Sequence, residues 1–113
     1  MVDEERARRI GANEAVFRKV NEQIEDLNRG FAEAGGGTMH VVCECGDIRC
    51  TEQIVVSIET YERIRADSAL FLTVDGHEAA DVETVVEQAD RYQVVRKRAG
   101  EPERLAARTD PRP

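Results

Sequence analysis

Tryptophan is absent from these 113 residues, and the only other large rings are two tyrosines and three phenylalanines. Aromatic side chains bring the most buried area per residue, so the packed interior is expected to be small and to need support from another source. No apolar run approaches membrane-spanning length, and Met1-Val2-Asp3-Glu4-Glu5-Arg6 has nothing of a secretory leader. The expectation is a single cytoplasmic domain with no membrane partner. Basic residues are outnumbered, 16 against 23 acidic ones, for a net charge of −7. They are not gathered together either: residues 1–34 carry −2, residues 35–97 carry −6 and residues 98–113 carry +1. A phosphate backbone is a poor partner for such a chain, and only Arg96-Lys97-Arg98 and the arginine-bearing end speak for nucleic acid.

Catalytic signatures are missing as well. Gly35-Gly36-Gly37 is not followed by Lys-Ser or Lys-Thr and precedes a strand pattern, so it is no phosphate loop. There is no nucleophile elbow, and the His-x-Glu with Pro-Cys-x-x-Cys of zinc deaminases is absent. Two histidines leave little room for acid–base work, so a non-enzymatic role is expected.

What the chain does have is concentrated in Cys43-Glu44-Cys45-Gly46-Asp47-Ile48-Arg49-Cys50, which holds all three of its cysteines. An odd, tight set of thiols in a reducing compartment favours a metal over a disulfide. On a strand Cys43 and Cys45 share one face, and Gly46-Asp47 allows a turn that returns Cys50 to the same point. The fourth ligand is a choice between two histidines. His40 shares its face with Val42 and Glu44, opposite the thiols, whereas His77 follows the turn signal Asp75-Gly76 at a strand end. Cys43, Cys45, Cys50 and His77 form a familiar tetrahedral set for structural Zn2+. An iron–sulfur cluster, a site open to water, and unligated thiols remain as alternatives. Glu44 and Asp47 are read as solvated turn charges, and Arg49 as a cation supporting a thiolate.

The rest of the chain arranges itself around that box. From Glu4 to Ala34, Ile10, Phe17, Ile24 and Phe31 recur every seven residues, and Asn13, Val20, Leu27 and Ala34 fill the positions three further on. The stripe either lies on the domain's own sheet or forms a seam with a protein partner or a second copy. In the second case Ile10, Phe17, Val20, Ile24, Leu27 and Phe31 make the contact. Charges such as Glu14 with Arg18 and Glu25 with Arg29 are read as exposed pairs four residues apart. The glycines up to Gly37 join this helix to the next unit. Residues 39–44 and 52–56 then read as a hairpin, Ser57 caps a short helix over 58–66, and residues 70–74 form a strand. Residues 82–88 and 91–97 suggest a second hairpin, with a helix over 81–89 competing. Residues 98–113 are expected to be disordered.

Phe17-Arg18, Asn21-Glu22-Gln23-Ile24, the Cys43-Glu44-Cys45-Gly46 box with Cys50, residues 59–65, Gly76-His77, and Tyr92 with Val94-Val95 and Lys97 together resemble a group of small uncharacterised proteins of high-GC Gram-positive bacteria. The likeness spans most of residues 14–97. It implies that the helix, the cysteine box and the Gly-His turn belong together, which favours His77 over His40. Asp75 stands where the group would have proline, implying a looser turn. The expected architecture is α+β: an N-terminal helix and linker over 1–37, then a small zinc-pinned domain over 38–97. That domain holds a mostly antiparallel sheet and one short helix. The expected role is a protein-interaction or regulatory module, with a thiol redox sensor as the alternative and an open-site zinc enzyme third.

Overall fold

Helix α1 (Glu4–Arg29) begins at Asp3, whose carboxylate accepts the backbone N–H groups of Glu5 and Arg6. The computed structural model describes residues 3–29 and 37–112. After α1 come β1 (Thr38–Val42), β2 (Gln53–Ser57), α2 (Ile58–Arg65), β3 (Leu70–Thr73), β4 (Glu83–Gln88), β5 (Gln93–Lys97) and α3 (Glu101–Arg108). The fold is α+β. Among the described residues no helix is long and apolar enough to cross a membrane.

Strands β1 and β2 form an antiparallel hairpin with Met39 opposite Val56 and Val41 opposite Ile54. Their alternation buries one side, where Met39, Val41, Ile54 and Val56 meet Tyr61 and Ile64 of α2. Ser57 ends β2 and caps α2, its hydroxyl accepting the Thr60 N–H at 3.0 Å. In the second sheet β5 lies between β3 and β4, antiparallel to both. Residues 83–88 are therefore strand, not helix. Val85 pairs with Val95, and a bulge sets Val86 outward before pairing resumes at Glu87.

The way α1 packs corrects the heptad reading. Its buried positions include Glu14, Arg18, Asn21 and Glu25, a polar row with the spacing of a core-facing stripe. Of the apolar stripe, Ile10 is buried, Phe17 and Ile24 are half-buried at its border, and Val20 and Leu27 are 37% and 68% exposed. Phe31 and Ala34 lie outside the described residues, as do Gly35 and Gly36. The reason lies in what α1 covers. Both backbone groups of Val42 at the β1 edge need partners, and the Asn21 amide supplies them, accepting from the N–H and donating to the carbonyl at 2.8 Å each. Arg18 donates to the carbonyls of Ser68 and Ala106 while lying 4.4 Å from the centre of the Phe71 ring. Glu14 and Arg18 are thus buried and partnered elsewhere, whereas Glu25 and Arg29 do pair, at 3.3 Å.

The tail expected to be disordered is a second short helix instead. Ala106 of α3 packs on Phe71 and Val95, and Arg112 beyond it reaches the carboxylates of Glu22, Glu25 and Glu62. Few apolar residues mark this stretch because its polar groups are the ones that find partners. Gly46 is needed for close packing at the cysteine box, since a Cβ there would lie 2.6 Å from Ile10 Cγ2 and 3.1 Å from Ile10 Cβ. A β-branched side chain on a helix has little freedom to yield. Gly46→Ala is expected to cost about 1–3 kcal/mol in denaturant unfolding, with the dependence on denaturant unchanged.

Candidate metal centre

The hairpin pairing continues one residue past β1, because the Cys43 N–H donates to the Glu52 carbonyl at 3.0 Å. The extended chain then sends Cys43 and Cys45 to one side and Glu44 to the other. Asp47 makes the return. Its side chain accepts the Arg49 N–H and its carbonyl accepts the Cys50 N–H, both at 2.9 Å, a turn that carries Cys50 back over the first two thiols. From the other sheet, the chain leaving β3 turns at Gly76, whose φ of 83° favours glycine. The His77 N–H closes that turn on the Val74 carbonyl at 3.0 Å.

These two turns meet. One ligand atom from each of Cys43, Cys45, Cys50 and His77 lies within 4.8 Å of the other three. His77 Nδ1 is 3.6 Å from Cys43 Sγ and 3.7 Å from Cys50 Sγ. Tetrahedral zinc with bonds of about 2.3 Å to sulfur and 2.05 Å to nitrogen separates sulfur from nitrogen by ~3.5 Å, close to these two separations. The Val74 N–H donates to Cys43 Sγ at 3.2 Å, a contact that favours a thiolate.

Three adjoining thiols cannot all ionise alone. Donation from Cys43 pulls Cys45 down to about 5 against the opposing effect of burial. Cys43 is pushed up, first by that same hydrogen bond and then by burial, and Cys50 is raised by burial. Burial opposes ionisation at all three sulfurs, and a divalent cation would displace their protons. Cys43 and Cys45 are buried, while Cys50 and His77 are half-buried. The cluster can hold a metal ion.

Two neighbours differ from the sequence reading. Glu44 is fully buried, accepting from Asn21 Nδ2 at 2.8 Å and from the Leu72 N–H at 3.0 Å, while its own N–H donates to the Leu72 carbonyl. It ties the cysteine box to α1 and β3 on the face opposite the thiols, as strand alternation requires of the residue between the two cysteines. Arg49 is 89% exposed and turned to Asp47, 3.4 Å away, so its expected support of a thiolate is not seen. His40 is exposed on β1 opposite Val55, facing away from the thiols. Asn13 escaped the sequence reading as a partner of the box; its amide donates to the Gly46 carbonyl at 2.9 Å. The signal for it was a polar residue on the helix stripe. No protein-family model, curated protein or solved structure matches this chain.

Proposed function

We propose that this protein is a non-enzymatic module held together by one structural zinc ion and used in protein interaction or regulation. The observation that carries the reading is the convergence of three thiols and one imidazole, brought from the β1–β2 hairpin and the end of β3 to within 4.8 Å of one another. Cys43, Cys45, Cys50 and His77 would hold the ion, closing the hairpin tip onto the end of β3. Three thiolates make an electron-rich, closed site, which favours scaffolding over Lewis-acid chemistry. The interaction role draws on α1, where Val16 is 51% exposed beside Val20 and Leu27 on the outward face. Partner contact through this face replaces the seam that ran through Ile10, now packed on Gly46.

The test is metal analysis with cobalt substitution of the full chain. One equivalent of zinc is expected, together with a cobalt spectrum of tetrahedral sulfur-rich coordination. A protein that neither retains nor takes up a divalent metal overturns the reading. The half-buried Cys50 supports a second reading, a thiol sensor, in which peroxide is reduced to water while Cys50 and a buried cysteine become a disulfide. Metal release by mild peroxide, reversed on reduction, would select it; a site inert to peroxide selects the scaffold.

A further inference from the structure

Where α1 meets the second sheet it does so through a closed group of charges. Lys97 Nζ lies 2.6 Å from Glu14 Oε1 and 3.0 Å from Glu83 Oε1, with the three side chains 2%, 0% and 0% exposed. The two carboxyl groups are not equivalent. Glu83 Oε2 also accepts the Ala79 N–H at 2.9 Å, so both of its oxygens receive donors. Glu14 Oε2 is buried with no partner. One ammonium can balance one buried carboxylate, and a second anion beside it would stand unscreened.

We propose that the Glu14–Glu83 pair holds a single proton, carried on Glu14, and that the seating of α1 on the β3–β5–β4 sheet is thereby coupled to pH. The other charged groups nearby do not remove the need for it. Arg18, one turn along α1, gives its guanidinium to the Ser68 and Ala106 carbonyls and to the Phe71 ring. Asp81, on the segment before β4, is paired with Arg6 at the surface. Phe71 of β3 and Ala106 of α3 bring no titratable group. Burial, followed by the neighbouring Glu83, holds the Glu14 carboxyl well above the usual carboxylate range, and Lys97 opposes this only in part.

A carboxyl raised on folding stabilises fully below its unfolded value, and that stability is lost as pH rises through the folded one. Between those limits the unfolding constant of the wild type should rise about tenfold per pH unit relative to Glu14→Gln, in which the proton is replaced by an amide. A second readout is the infrared stretch of the protonated carboxyl at neutral pH. Burial also raises Glu44, and burial with Glu62 beside it lifts Glu25 to about 7, so the measurement is the difference between proteins. Glu14→Gln should remove one protonated-carboxyl band. Glu83→Gln should remove one too, because Lys97 then faces a single carboxyl that can ionise. If either variant folds, the comparison can be made. Bands unchanged in the folded variants, or parallel pH profiles for wild type and Glu14→Gln, overturn the proposal.

Discussion

Cys43→Ser should leave the chain unable to hold a full equivalent of zinc and should lower its stability by more than about 3 kcal/mol, since structural zinc contributes ~10–16 kcal/mol to folding in small zinc-finger peptides. Of the four clustered residues, Cys43 is held by both turns. It is buried, its sulfur accepts the Val74 N–H, and it lies 3.6 Å from His77 Nδ1. A serine hydroxyl is a weak zinc ligand and would stand buried with the Val74 N–H as its backbone partner. For a domain of this size the loss corresponds to a fall in Tm of at least about 10 °C. His77→Ala should do less, because the imidazole is half-buried and three thiolates remain. Metal content and thermal unfolding of the two variants and of chelated wild type check this order. Equal melting of chelated and metal-loaded wild type would refute it.

Lys97→Met is expected to produce the second large effect, about 3–5 kcal/mol, because it leaves Glu14 and Glu83 buried together without a cation. Methionine keeps roughly the length and volume of lysine, so the loss reports charge, the ammonium's approach to the Phe71 ring included, and not volume. The double variant Glu14→Gln/Lys97→Met should recover part of the stability, since a single carboxyl is then left to protonate. Denaturant unfolding of the two single variants and the double gives the coupling directly. Strict additivity would mean that the three side chains do not act as a unit.

Most of the strands could be read in advance because they bury apolar side chains on one face. Met39-His40-Val41 and Ile54-Val55-Val56 alternate as a half-buried hairpin must, and Leu70-Phe71-Leu72 is apolar throughout because both sides of β3 are covered. Helix α1 was legible as a helix, but its orientation was not. Apolar periodicity assumes that the covered surface is apolar, and here α1 lies on a strand edge, a helix C-terminus and a lysine. Arg18, Asn21 and Glu14 face inward to meet them. The same exchange hid α3 and Arg112, whose partners are Glu22, Glu25 and Glu62.

The amino-acid sequence by itself determined the residue types of the candidate metal cluster, through three thiols within eight positions and a histidine after a glycine turn. Local rules suffice there, since strand alternation and a tight turn decide where Cys43, Cys45 and Cys50 point. Tertiary structure decided which charges are inside. Whether Glu14, Arg18, Glu44 or Lys97 can leave water depends on partners 14 to 88 residues away in the chain, and no local pattern reveals them. A buried ion is tolerated only where its counter-group and hydrogen bonds arrive together, and only the assembled fold brings them there.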